Sequence, residues 1–270
     1  MAGTTLTDPL RRNNVEVSGN PDGPWMVFAH GFGCSRASWD LVAPQFERDH
    51  RVVLFDLVGA GDSDMSAYDR GKYDSLDGYA DDVLEVLEAL NAEHVVFVGH
   101  SVSAMIGVLA ANRAPERFSH LILIGPSPRY INDGSYLGGF EAEDIAALLD
   151  TLDANYVGWS RQMAPVIMGN GDRPELGDRL TESFCNVDPD IARHFAHVTF
   201  LSDNREDLTH VVVPTLVMQS SADVIAPREV GDYVHTAIPG SRLVLLETTG
   251  HVPILSGPDE VVAEIRAYLS

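Results

Sequence analysis

Six short apolar runs punctuate the chain at Trp25–Ala29, Val52–Phe55, Val95–Val98, Leu121–Ile124, Thr215–Met218 and Leu243–Leu246, each bounded by turn residues. Apolar runs of this length, with no polar alternation, are expected of strands buried on both faces. Between the second and third runs, Leu76, Tyr79, Ala80, Val83, Leu84, Leu87 and Leu90 fall at helical spacing, with Asp74 or Ser75 in place to cap the first turn. Further helical stretches follow Ser101 and Pro227, and another begins at Pro258. Strands that alternate with amphipathic helices bury their apolar faces as a mainly parallel, twisted sheet with helices on both sides, so the fold class is α/β. The segment Asn14–Ser18 is predicted to add an antiparallel edge strand.

The alternation fails once. From Pro126 to His210 no convincing strand appears, and turn signals at Gly169–Asp172, Asp188–Pro189 and Ser202–Asn204 divide the stretch into about four short helices. The expected organisation is a core formed by residues 1–125 and 211–270, interrupted by a helical insertion at 126–210. No repeat, low-complexity run or Gly/Ser linker detaches that insertion as a separate domain.

Composition excludes several functions. Forty acidic residues against 18 basic ones give a formal charge of −22, which repels a polyphosphate backbone, so nucleic acid is not an expected partner. No apolar run approaches the roughly 18 residues of a membrane span, and residues 1–14 hold no continuous apolar signal core, so neither a membrane nor export is expected and the location is read as cytoplasmic. Cys34 and Cys185 lie in unrelated segments and are expected as buried free thiols rather than a bridge.

Gly99-His100-Ser101-Val102-Ser103 follows the third strand directly and opens a helix. This placement is that of a nucleophile elbow, whose pattern G-x-S-x-G is changed here only by Ser103 in place of the second glycine. A hydroxyl is a weak nucleophile at neutral pH and needs a base, which in turn needs an orienting carboxylate. In the order serine, acid, histidine, the best candidates are Asp223, after the strand Thr215–Met218, and His251, after Leu243–Leu246. Both lie past C-terminal strand ends, where open α/β sheets place their sites. Asp203 and Asp207 are rival acids, but they precede the strand. For an oxyanion, the amide of Val102 supplies one donor and that of Phe32, in His30-Gly31-Phe32-Gly33, the second. Gly59-Ala60-Gly61 does not extend to a dinucleotide fingerprint, Asp56 lies outside the elbow, and His194 with His197 lacks the further ligands a metal needs, so no metal or cofactor is expected.

Beyond the elbow, the chain resembles one branch of the α/β-hydrolases: the bacterial stress-response hydrolases of the RsbQ type and their plant relatives, the karrikin and strigolactone receptors. The likeness rests on His30-Gly-Phe-Gly-Cys34, Phe55-Asp-Leu-Val-Gly59, Leu76-Asp-Gly-Tyr79, Gly99-His-Ser-Val-Ser-Ala104, Gly125-Pro-Ser-Pro128, Asn132-Asp133, Tyr156-Val-Gly-Trp159 and Ser202-Asp-Asn-Arg-Glu-Asp207. The plant receptors also resemble this chain in having serine at position 103. The resemblance implies an α/β-hydrolase fold with a four-helix lid over about 141–201 and a deep apolar pocket, with Phe32, Phe140, Trp159, Met163, Phe195 and Phe200 as candidate substrate-binding residues. It also implies slow hydrolysis of butenolide-like ligands and signalling through a protein partner. The combined expectation is a cofactor-independent serine hydrolase cleaving a small hydrophobic ester or lactone through an acyl-enzyme, with the resemblance implying a place in stress signalling. Two alternatives use the same triad: a ligand sensor acting mainly through a protein partner, and a cofactor-free perhydrolase or carbon–carbon bond hydrolase.

Overall fold

The computed structural model describes residues 8–270. Residues 1–7, the start of the expected core segment, lie outside the described residues. Seven strands form one sheet: β1 (Glu16–Gly19), β2 (Trp25–Ala29), β3 (Arg51–Leu54), β4 (Val95–His100), β5 (Phe118–Ile124), β6 (Thr215–Ala222) and β7 (Arg242–Thr249). Their order is β1-β3-β2-β4-β5-β6-β7, with β1 antiparallel at the edge and every other pairing parallel.

Several strands outrun the apolar runs that announce them. Pairing with β7 carries β6 past Met218 through Ser220 to Ala222, because a neighbouring backbone, rather than side-chain hydrophobicity, satisfies the ladder. At the edge, the antiparallel strand begins at Glu16, two residues later than expected, in register with Leu54.

The period-2 alternation of strands sorts the core into two layers. Met26, Phe28, Val96, Val98, Ile122, Ile124, Leu216 and Met218 face one layer, while Val27, Ala29, Val95, Phe97, Leu121, Leu123 and Val217 face the other. The second layer is covered by α2 (Leu76–Ala89), α3 (Val102–Arg113) and α9 (Arg228–Ala237), which follows the short α8 (Arg205–Leu208). On the first layer lies α11 (Pro258–Leu269), preceded by the single turn α10 (Pro253–Ser256). Ser75, one of the two residues read as a cap, accepts from the Asp77 amide at the start of α2.

Between β5 and β6 the chain forms α4 (Ala142–Ala154), α5 (Tyr156–Met168), α6 (Pro174–Cys185) and α7 (Pro189–Phe200). The break between α4 and α5 carries no glycine or proline. Asn155 makes it by ending one helix and accepting a 2.9 Å hydrogen bond from Gly158 N–H in the first turn of the next. Among the described residues no helix is long and apolar enough to cross a membrane.

The N-terminal turn α1 (Pro9–Arg12) is locked to α2 by a buried ion cluster. Arg12 lies 2.9 Å from Asp82, and the same carboxylate takes Lys72 Nζ at 2.6 Å and the Tyr73 hydroxyl at 2.8 Å. Burial lifts the Asp82 carboxyl above the usual carboxylate range, against the pull of Arg12 and Lys72. Removing the carboxylate leaves the buried Arg12 with only the more exposed Glu85 as counter-charge, so Asp82→Ala is expected to lower stability by up to about 3–5 kcal/mol. A urea denaturation midpoint unchanged from wild type would show that the cluster contributes nothing net.

Candidate active site

Ser101 sits between β4 and α3 at φ 56° and ψ −123°, a backbone region that costs free energy for any residue with a side chain. Its neighbours hold it there. Ser101 N–H donates to the Ile124 carbonyl at 2.8 Å, and its own carbonyl accepts from Ala104 N–H at 2.9 Å. A Cβ at Gly99 would lie 2.5 Å from the Ser103 carbonyl oxygen, so only glycine lets helix and strand approach this closely. Ser103, where the elbow pattern has its second glycine, is fully buried and donates its hydroxyl to the His30 carbonyl at 2.5 Å. The departure from the pattern therefore ties the elbow to the loop that carries Phe32.

The serine, histidine and aspartate singled out by chain order stand in one hydrogen-bonded row. Ser101 Oγ is 2.8 Å from His251 Nε2, and His251 Nδ1 is 2.7 Å from Asp223 Oδ2. Burial alone would raise the Asp223 carboxyl, but His251 and the amides of Ala226 and Ile225 outweigh it and hold the group below its usual range. A carboxylate accepting from Nδ1–H leaves Nε2 free to accept the serine proton. The rival acids are engaged elsewhere: Asp203 pairs with Arg129 and Arg205, and Asp207 accepts from Asn204.

The backbone of His251 is gripped from two sides. Its N–H donates to the Ile167 carbonyl on α5 at 3.0 Å, and its carbonyl accepts from His100 Nε2 at 2.8 Å. Burial, reinforced by His251, pushes the His100 imidazole down to about 3, so it stays neutral and serves as a strut, not a base. Gly250 runs at φ +87°, and a Cβ there would lie 1.9 Å from the Met168 carbonyl oxygen. The insertion thus meets the histidine loop backbone to backbone, and Asn170 Nδ2 adds a 2.9 Å hydrogen bond to the Thr249 carbonyl.

Phe32 follows Gly31, where a Cβ would lie 2.8 Å from His100 Nδ1 and 3.2 Å from Ser101 Cβ. This close approach sets the loop that carries Phe32 against the elbow that carries Val102. Among the described residues neither the Phe32 nor the Val102 amide donates to a protein acceptor. Two donors left open beside a buried serine are what an oxyanion requires.

Above them a narrow apolar cavity is walled by Phe32, Trp159, Phe184 and Phe200, with Ser101 and His251 at its base. Phe140, Met163 and Phe195, also expected in the pocket, do not line it. Phe140 is half-buried, with its backbone bonded to Tyr130 and Asn132, and Met163 packs half-buried against the core. Phe195 lies behind Phe32, wedged against Tyr79 with ring centroids 4.7 Å apart. Inward apolar residues of an insertion both line a cavity and pack against the core, and helical spacing does not separate the two. Sequence reading missed Tyr130, buried with its hydroxyl neighbouring Ser101, and also Phe184 and Cys34. Tyr130 could have been found from its position just beyond the C-terminal end of β5. Both cysteines are free thiols, Cys34 buried and Cys185 partly so, and burial pushes the Cys34 thiol up to about 12, which keeps it protonated. His194 is bonded to the Tyr68 hydroxyl and His197 to Asp153, and no cluster of three or more metal-ligating side chains occurs among the described residues.

Fold and geometry together define a hydrolase of the α/β class: residues 24–258 match the family model for the α/β hydrolase fold, and the chain belongs to that family. It is 40% identical to strigolactone esterase RMS3 of Pisum sativum, covering 99% of both chains. It is 39% identical to Karrikin insensitive 2 receptor CA of Petunia hybrida, covering 95% of each. Among solved structures, a hydrolase from Oleispira antarctica superposes with a TM-score of 0.94 at 38% identity, over 97% of this chain and 96% of the other.

The contact at Gly250 yields a direct test. Gly250→Ala must displace either Met168 or the histidine loop, and a shift of about 1 Å at a reacting group costs on the order of 100-fold in turnover. The variant is expected to stay folded by circular dichroism with ester turnover reduced on that scale; full turnover would mean that His251 does not depend on this contact.

Proposed function

We propose that this protein is a serine esterase acting on small hydrophobic esters or lactones, butenolides among them, through an acyl-enzyme. The observation that carries the reading is the Asp223–His251–Ser101 row at the base of an apolar cavity, beside two amides without acceptors. Ser101 Oγ forms a bond to the substrate carbonyl carbon while its proton passes to His251 Nε2, and Asp223 orients the ring and balances the imidazolium. The amides of Phe32 and Val102 receive the charge that collects on the carbonyl oxygen. Collapse breaks the ester bond, the leaving oxygen takes the proton from His251, and water enters by the same steps in reverse to release the acid. Residues 126–210 act in this scheme as a lid that keeps bulk water from the cavity, where electrostatic interactions are then stronger. The free thiols favour a reducing compartment, and we assign the protein to the cytoplasm.

Asp223→Asn is expected to remain folded and to lose about 10⁴ in turnover on aryl esters, because the amide favours the wrong histidine tautomer. Asp203→Asn and Asp207→Asn should keep most activity; the opposite pattern would move the acid to the end of the insertion. An aryl phosphonyl fluoride should label the wild type once, at Ser101, and Ser101→Ala should remove both labelling and esterase activity. Labelling at Ser35 or Ser103 would contradict the assignment.

A second reading has a specific observation in its favour. Because His251 N–H is bonded to Ile167 of the insertion, any group attached in the site acts on a residue that the lid also holds. The protein then works as a ligand sensor whose occupied state is read by a signalling partner through the lid surface, as the name receptor in one of its relatives suggests. Butenolides and aryl acetates separate the two. Rapid multiple turnover of both, with no mass increment on the intact protein, marks a metabolic esterase. A butenolide turned over far more slowly than aryl acetate, with an adduct accumulating on Ser101 or His251, marks the sensor.

A further inference from the structure

The side-chain hydroxyls, imidazoles and thiol that line the cavity above Ser101 are, with one exception, already committed. Ser101 and His251 stand in the catalytic row, and His100 Nε2 donates to the His251 carbonyl while Gly31 closes over its Nδ1. The Cys34 thiol lies beside Ser183, and the Tyr130 hydroxyl neighbours Ser101 at the reacting centre. The exception is Thr199 on α7, which lines the cavity and is 1% exposed, yet its Oγ1 has no hydrogen-bond partner in the protein. Its own helix offers a partner that it has not taken. In the other helical threonines of the described residues, Thr151, Thr181 and Thr236, Oγ1 donates to the carbonyl four residues earlier at 2.8, 2.7 and 2.8 Å. For Thr199 that carbonyl belongs to Phe195, and no such bond forms. A buried hydroxyl left unpaired costs free energy that a valine of the same shape would avoid.

We propose that Thr199 is a specificity residue whose hydroxyl bonds a second oxygen of the substrate, so that the preferred substrate is an ester or lactone carrying an ether, hydroxyl or carbonyl oxygen beyond the reacting carboxyl group. The inference rests on the acyl-transfer reading above and narrows its substrate class. Its direction follows from position. The reacting carboxyl group is met at the base of the cavity by Ser101, His251 and the amides of Phe32 and Val102, which leaves Thr199 for a different polar atom. A threonine hydroxyl donates to an ether or carbonyl oxygen and accepts from an alcohol, so it serves each of these groups. The aromatic walls formed by Phe32, Trp159, Phe184 and Phe200 bury hydrocarbon but do not replace that bond. A purely hydrocarbon substrate therefore leaves Thr199 unpaired in a cavity from which it excludes water, whereas an oxygenated one supplies the partner.

The test uses two pairs of esters in which an ether oxygen replaces a methylene. Methyl 3-methoxypropionate against methyl pentanoate places it on the acyl side, and 2-methoxyethyl acetate against butyl acetate places it on the alcohol side. Hydrolysis is followed in a pH-stat and read as kcat/KM, and the oxygenated-to-hydrocarbon ratio in each variant is divided by that of wild type, which cancels intrinsic reactivity. Thr199→Val is expected to lower this ratio ~10-fold in the pair whose oxygen reaches the hydroxyl, the scale of one hydrogen bond. Thr199→Ser, which keeps the hydroxyl, should stay near wild type. A ratio unchanged by Thr199→Val in both pairs would overturn the inference. Thermal unfolding gives an independent reading: Thr199→Val should melt no lower than wild type, because no protein partner is lost, and a lower midpoint would show that the hydroxyl is bonded within the protein and would also overturn it. Ser101→Ala in parallel separates this failure from that of the parent reading. Butyl acetate hydrolysis surviving in that variant would remove the acyl-enzyme itself, whereas its loss together with unchanged ratios in Thr199→Val removes only the role of Thr199.

Discussion

The site depends first on a backbone held where it would not go alone. At φ 56°, Ser101 occupies a conformation that costs about 1–3 kcal/mol, and it persists only because its surroundings over-determine it. The Ile124 carbonyl on β5 fixes the amide, Gly99 lets α3 close on β4, and Ser103 fastens the turn to the β2 loop. Each restraint belongs to the parallel sheet, which brings the C-terminal ends of β2, β4, β5, β6 and β7 to one edge. The nucleophile is therefore a property of the sheet as a whole and not of a pentapeptide.

Electrostatics inside the site oppose those of the surface. The chain carries a formal charge of −22, which disfavours anionic substrates approaching it, whereas the cavity presents aromatic and aliphatic walls. The buried imidazoles His30 and His100 are both depressed by burial, so neither carries charge at neutral pH. The single carboxylate of the row is kept ionised by His251 and two amides, even though burial acts against it. A neutral ester suits such an environment, and charge develops only where the open amides can meet it.

The insertion is more than a cover. Helix α5 supplies Trp159 to the cavity wall and Ile167 to the backbone of His251, while α7 supplies Phe200 to the wall and Phe195 to the back of Phe32. The aromatic cluster around Phe32, with Trp159 of α5, Phe184 of α6 and Phe195 and Phe200 of α7, consequently joins the β2 loop to three insertion helices. A displacement of α5 reaches both His251 and Phe32, which is the physical ground for considering catalysis and sensing at one site.

Local sequence by itself determined the alternation of strands and helices, because apolar runs and 3.6-residue periodicity are written residue by residue. It also determined the elbow and its histidine, since chain order and strand ends restrict where Ser101 and His251 can stand. Tertiary structure decided what depends on several segments at once. Which of Asp223, Asp203 and Asp207 meets His251 is settled by proximity in space, and the role of Ser103 becomes visible only when His30 lies across from it. The same holds for the apolar residues of the insertion: Trp159 and Phe200 face the cavity, whereas Phe140, Met163 and Phe195 pack away from it, although the family resemblance marks them all alike as pocket candidates. A helix pattern records that a side chain leaves water; only the packing of helix against sheet and loop decides whether it meets protein or the space reserved for a ligand.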